Sequence, residues 1–238
     1  MLEVEVPNFD GEFDCKKEYA DVYYDRHMER FQQNTRKRTV YRFVKRSLDI
    51  AVSATMLILL SPMLFLVAIA VKCDSEGPVI FKQKRVGRGG KVFNCYKFRS
   101  MYVTAPSECA TSQLEHPEQY QTRVGRVLRR LSLDELPQLW CVLIGSMSFI
   151  GYRPLILSEK DCNDMRGRLG VFALRPGISG YAQVRGRDDV YYKNKALLDA
   201  YYVKHAGLLF DLKLILRTVI VVVKRDGNHS GGRRADKR

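Results

Sequence analysis

The sequence predicts an α+β chain, mainly helical and membrane-associated, with a re-entrant helix–break–helix, a small β-hairpin and interfacial amphipathic helices. Three observations carry that expectation. Residues 50–71, "IAVSATMLILLSPMLFLVAIAV", are 22 uncharged residues interrupted at their centre by Ser61-Pro62. β-Branched and aromatic residues then recur on both sides of a turn, Gly87-Arg88-Gly89-Gly90. Apolar residues fall at helical spacing in two later stretches, 124–143 and 206–224.

Residues 1–44 form a polar, aromatic-rich extension, expected to be partly helical from about 18 onward. It holds nine acids and seven bases in its first 40 residues, so the +14 net charge of the chain rises to +16 over the remainder. A surplus of that size calls for a polyanionic partner: nucleic acid, anionic lipid or a phosphorylated substrate. The six cysteines (15, 73, 95, 109, 141, 162) show no Cys-x-x-Cys spacing, and the four histidines complete no metal motif. Reduced thiols in a cytoplasmic setting are the expectation, without a disulfide frame or zinc site.

The segment 45–72 is expected to enter the bilayer and return. Twenty-two uncharged residues are long for a core helix, and the run starts too far along to be a cleaved signal peptide. Arg42, Lys45 and Arg46 stand before it, and Lys72, Lys82 and Lys84 after it. Basic flanks at both ends favour the cytoplasmic side for both, which one straight span cannot satisfy. Pro62 removes a backbone donor, Ser61 can bond freed backbone groups, and each half reaches only ~16 Å. A kinked spanning helix is the alternative at this point.

Residues 73–205 are expected to form a cytoplasmic domain. Its hairpin stretch carries seven bases and no acid from Lys82 to Arg99, interleaved with Phe81, Phe93, Tyr96 and Phe98. A solvated basic face and an anion-binding face fit that pattern equally. Residues 103–122 read as a loop, and "RPGISGYAQVRGR" (175–187) as a Gly-rich loop or short strand pair. Residues 206–238 read as an interfacial helix and basic tail. Lys213, Arg217 and Lys224 share one helical face opposite a broad apolar arc.

Within "LSLDELPQLW", Asp134 and Glu135 are adjacent. Ser132-x-x-Glu135 fits a capping box with Ser132 as the N-cap, a purely structural role. The same geometry suits a carboxylate nucleophile beside a phosphoryl group, with magnesium neutralising oxygens and arginines gripping phosphate.

Taken together, "KRSLDIAVSATMLILLSPMLFLVAIAV", "FKQKRVG", "YKFRSM", "RRLSLDELPQLW", "MSFIGYRPL", "RPGISGYAQVRGR" and "YYVKHAGLLFDLKLILRTV" resemble, in order, the small monotopic phosphoglycosyl transferases among the bacterial sugar transferases. The resemblance spans about residues 41–225. It implies transfer of a phosphosugar from a nucleotide sugar, with UDP as the expected carrier, to undecaprenyl phosphate at the cytoplasmic face of the bacterial inner membrane. It implies that Asp134 is the nucleophile, that Glu135 is its partner, and that Mg²⁺ sits with both. Lys97, Arg153 and Arg187 match phosphate-holding positions of the family, and Arg99, Arg175 and Gln183 lie in the same motifs. Ser61 and Pro62 match the break of its re-entrant helix. The expected partners are undecaprenyl phosphate, a nucleotide sugar, membrane lipids and downstream glycosyltransferases, with no nucleic acid. Cys141, Ser146, Tyr152, Tyr181 and Arg185 depart from the usual residues. An inactive assembly scaffold and a membrane-tethered nucleic-acid-binding protein are the rival classes.

Overall fold

The computed structural model describes residues 39–106, 114, 116–186 and 192–223. Helix α1 (Thr39–Leu59) and helix α2 (Ser61–Asp74) meet at Leu60 with a bend of 63°. Pro62 falls in the first turn of α2, where a missing N–H breaks no helical bond. Ser61 Oγ donates to Ile58 O at 2.8 Å, closing the end of α1. Among the described residues no single helix is long and apolar enough to cross a membrane, whereas the bent pair taken together is. Its apolar surface is largely uncovered: Ile58 and Leu59 are each 72% exposed and Phe65 is 67% exposed. A core helix would hide such residues.

Both ends of this pair are fastened to the rest of the chain. On α1, Arg46 donates to Val142 O (2.6 Å) and Leu143 O (2.7 Å), and buried Asp49 accepts from Ser148 Oγ and Phe149 N. At the far end, Val71 packs with Phe98 and Leu128. Asp74 also accepts from Val124 N at 2.9 Å.

The hairpin forms as the alternation predicts. Strands β1 (Ile80–Val86) and β2 (Val92–Phe98) pair antiparallel with Gln83 opposite Cys95 and Phe81 opposite Lys97. The turn needs its glycines, because Gly89 (φ 68°) and Gly90 (φ 72°) both take left-handed backbone. The pleat divides the bases: Lys82 and Lys84 face solvent, while Arg85 and Lys97 share the inner face with Cys95.

Helix α3 (Arg123–Leu131) starts on Thr122, whose Oγ1 accepts from Gly125 N at 2.9 Å. It stops where Ser132 turns left-handed (φ 58°). A 3₁₀ turn, Leu133–Glu135, leads to α4 (Gln138–Leu143). The expected capping box does not form: Ser132 closes α3 and makes no side-chain cap bond to the turn after it. A capping side chain works from extended backbone at the N-cap, and Ser132 is left-handed instead.

Strand β3 (Ser148–Ile150) pairs in parallel with β4 (Gly177–Ser179) across helix α5 (Lys160–Arg168). Within the stretch 175–187, expected as loop or strands, the described residues form β4 followed by helix α6 (Tyr181–Gly186). Two helices close the described chain, α7 (Tyr192–His205) and α8 (Leu208–Val223). The main core gathers Tyr152, Leu155, Leu169, Val171, Tyr202 and Leu214 between these elements. From α8, Asp211 and Leu214 turn inward, whereas Leu209, Leu212, Leu216 and Ile220 remain exposed. Lys213 is exposed and Arg217 half-buried on this helix, and Lys224 lies outside the described residues.

Candidate active site

Four of the expected residues come together beneath the inner face of the hairpin. Glu135 Oε1 lies 2.7 Å from Lys97 Nζ and 3.5 Å from Arg153 Nη2. Asp134, beside it in the 3₁₀ turn, is buried at 7% exposure. The turn places both carboxylates under β2 because α3 ends abruptly at Ser132 and Pro137 starts α4 two residues after Glu135.

The two acids are electrostatically different. Burial pushes Asp134 above the ordinary carboxylate value, as does the neighbouring Glu135, against the pull of Lys97 and Arg129. Burial would also raise Glu135, but Lys97 and Arg153, with Arg85 behind them, outweigh it and hold this carboxyl well below its usual range. One carboxylate is thus clamped as an ion while its neighbour is kept sparingly solvated. The same positive field reaches Cys95: a hydrogen bond with Cys141 and the nearby Arg85 and Lys97 bring its thiol down to about 7 despite burial.

Arg153 is held by its backbone as well as its side chain. Arg85 Nη1 donates to Pro154 O (2.5 Å), Arg166 Nη1 donates to Arg153 O (2.9 Å), and Gly177 N donates to Tyr152 O (2.9 Å). Arg166 is fully buried, paired with Asp199 of α7, and stacked over the Tyr152 ring at 5.4 Å. Gly151 touches the Arg175–Gly177 backbone so closely that a Cβ there would overlap it.

The remaining expected residues go elsewhere. Arg99 turns to the end of α2, donating to Val71 O (3.3 Å) and Ser75 O (2.6 Å). Helix-terminal carbonyls attract a cation, so this guanidinium ties the bent helix pair to the end of β2. Arg175 donates through Nε to Gly145 O (2.8 Å), and Gln183 donates to Ile178 O (3.0 Å). Arg187 lies outside the described residues. Ser61 and Pro62 stand at the helix break, as above. Two of the unusual residues meet one another: the Arg185 guanidinium lies 5.5 Å from the Tyr181 ring centroid.

Two further bases, Arg129 and Arg85, stand near the acids. Arg129 Nε donates to Ser100 Oγ (3.0 Å), and its charge acts on both Asp134 and Glu135. Arg85 acts on Glu135 while bracing Pro154. The signal for Arg85 was present in the strand alternation, which puts it on the face of Lys97. Among the described residues no cluster of three or more metal-ligating side chains occurs. Magnesium does not need one, since one or two carboxylates completed by substrate phosphates suffice. Asp134 and Glu135 fit that requirement.

Known proteins resemble this chain over most of its length. A family profile described as bacterial sugar transferase matches residues 40–225. The undecaprenyl-phosphate galactose phosphotransferase of Salmonella typhimurium is 40% identical over 83% of this chain and 44% of its own length. The UDP-glucose:undecaprenyl-phosphate glucose-1-phosphate transferase of Escherichia coli is 39% identical over 76% of this chain and 40% of its own length. The exopolysaccharide production protein ExoY of Rhizobium meliloti is 34% identical over 81% of this chain and 91% of its own length. The chain therefore spans less than half of the first two relatives and nearly all of the third. With four fifths of its length inside the profile, the chain belongs to the bacterial sugar transferase family.

Proposed function

We propose that this protein transfers a phosphosugar from a UDP-sugar to undecaprenyl phosphate through a covalent aspartyl intermediate, as a membrane step in polysaccharide synthesis. The observation that carries the reading is the pairing of Glu135 with Lys97 and Arg153 beside the buried Asp134. The relatives' names supply the substrate class. Two of them, 40% and 39% identical, name galactose and glucose, so overall identity does not select the sugar.

In the proposed first step an Asp134 carboxylate oxygen attacks the sugar-bearing phosphorus, and the bond to the nucleoside monophosphate breaks. In the second, an oxygen of undecaprenyl phosphate attacks the same phosphorus, and the acyl-phosphate bond breaks to restore the carboxylate. Burial of Asp134 leaves its carboxylate weakly solvated, which favours attack. Lys97 and Arg153 are placed to face the phosphoryl oxygens as negative charge shifts during transfer. Mg²⁺ held by Asp134 and Glu135 would neutralise diphosphate oxygens of the donor.

The apolar exposure of the bent pair and of α8 supports seating at a bilayer surface, where the polyprenyl phosphate resides. The test is covalent. Protein given a panel of UDP-sugars and Mg²⁺ without acceptor should gain the mass of one phosphosugar on Asp134, and Asp134→Asn should gain none. An unmodified wild-type protein that turns over fully once acceptor is added would overturn the two-step route.

A further inference from the structure

A second concentration of positive charge lies away from the acid pair. Arg42, Lys45, Arg46 and Asp49 of α1, Arg88 of the hairpin turn and Arg175 line a single cleft, to which none of Asp134, Glu135, Lys97 or Arg153 contributes. Five bases therefore meet one acid, and that acid is already engaged. Asp49 accepts from Ser148 Oγ and Phe149 N, Lys45 is paired with Asp211 at 2.6 Å, and Arg46 is bound to the carbonyls ending α4. Among the described residues, no carboxylate pairs with Arg88 or Arg175. Burial, then the charges of Arg88 and Arg46, press on the Arg175 guanidinium and lower its affinity for its proton. Like charges gathered in a partly desolvated cleft are relieved by an anion.

The geometry also says what kind of anion. Arg175 Nε is anchored on Gly145 O, which fixes the plane of the guanidinium and leaves its terminal nitrogens for a two-point contact of the sort phosphate accepts. The α1 residues on the cleft, Arg42, Arg46 and Asp49, occupy one face of the helix and end one residue before the uncharged run 50–71 begins. A phosphate seated there would have an apolar helix beside it for an attached chain.

We infer that this cleft binds the phosphate of a membrane amphiphile, at a site separate from the Asp134–Glu135 centre. The inference rests on the membrane reading above for the amphiphile and on the clustered arginines for the phosphate. Two sources share that chemistry, a polyprenyl monophosphate and a phospholipid diester.

The test uses the full chain in a non-ionic detergent, so it does not depend on how the apolar pair meets a bilayer. Calorimetric titration with farnesyl phosphate, dihexanoylphosphatidylglycerol, farnesol and inorganic phosphate supplies the affinities. Arg88→Gln, on an exposed turn, is the first variant, and Arg175→Gln the second. Both should weaken amphiphile phosphate binding by about tenfold, the effect of losing one charge-assisted contact. Farnesol should not bind the cleft. Weakening confined to farnesyl phosphate assigns the site to the acceptor lipid, and weakening confined to phosphatidylglycerol assigns it to a bound phospholipid. Unchanged affinities in both variants, or inorganic phosphate binding as tightly as the amphiphiles, would overturn the inference. Covalent loading by a UDP-sugar, measured on wild type and Arg88→Gln in parallel, reports the catalytic reading independently. Loss of loading in the wild type sinks that reading and leaves the cleft standing.

Discussion

Glu135 and Asp134 are neighbours in sequence with opposite proton affinities, and the difference comes from which bases each one meets. Lys97 and Arg153 converge on Glu135, so its folded-state pKa lies below the ordinary 4.5. Its contribution to stability is therefore present above pH 4.5 and lost as pH falls through the depressed folded value. Asp134 has the opposite sign: raised above 3.8 by burial, it favours the fold below that value and opposes it as pH rises through its folded pKa. On the proposed route attack needs the ionised Asp134, so the rate of covalent loading should fall on the acid side of that raised pKa. Lys97 pulls Asp134 down, so Lys97→Met should move this acid limb to higher pH, beyond any loss of rate at the plateau. A pH profile of single-turnover loading checks the shift, and an unmoved limb would remove Lys97 as the base that tunes Asp134. Arg153→Lys should lower turnover by about tenfold or more at unchanged fold, because a point charge cannot reproduce a planar two-point contact. The buried pair behind it is a stability element. Arg166→Met alone, which leaves Asp199 charged and unpaired, should cost about 3–5 kcal/mol in chemical denaturation.

Local pattern made some elements visible in the sequence and hid others, and the division follows contact range. The hairpin was legible because alternation and a Gly-rich turn are properties of adjacent residues. The helix break was legible for the same reason: Ser61 and Pro62 act on their own turn. The β3–β4 pair was not, since Ser148 meets Gly177 only through packing of the intervening α5. Nor was the short helix after Gly180, where glycine and serine suggested a loop. Arg99 and Arg175 sit in stretches that carry the family resemblance, yet their side chains leave the acid pair, and only tertiary structure reveals where they go. The acid pair itself was legible as a motif but ambiguous in role. Its capping interpretation failed because Ser132 adopts left-handed backbone, which no spacing rule foresees. Gly125 gives a test of this kind of long-range constraint. Alanine is the better helix former, but a Cβ at Gly125 would overlap the Ser100 carbonyl. Gly125→Ala should therefore destabilise by about 1–3 kcal/mol in chemical denaturation, and a stabilised variant would show that α3 can move off the strand end.

On the proposed membrane seating, the anchoring of α1 and α2 limits how the whole chain could meet a bilayer. Arg46 and Asp49 bind α1 to α4 and β3, and Lys45 binds it to Asp211 of α8. Arg99, just past β2, holds the end of α2, and Asp74 holds the start of α3. Both ends of the bent pair are thus attached to the body that carries Asp134 and Glu135. A straight span would have to pull one end away, breaking buried charge-assisted bonds with nothing to replace them. A dip into one leaflet would keep all of them and offer the exposed apolar residues around Leu59 to lipid. The expected topology therefore places residues 1–44, the site and the C-terminal tail on one side, the cytoplasmic side by the positive charge of both flanks. Glu5→Cys and Ser230→Cys, each in a background with the six native cysteines replaced by serine, test it in intact cells. Neither position should react with an impermeant maleimide until the cells are permeabilised, and then both should. Replacing Ser61 and Pro62 together with leucine removes the break and leaves a long uninterrupted apolar helix. Some of that variant should expose one terminus to the reagent, with catalytic activity falling in the same proportion. Labelling of a single terminus in the unaltered helix pair would establish a spanning segment and overturn the re-entrant topology.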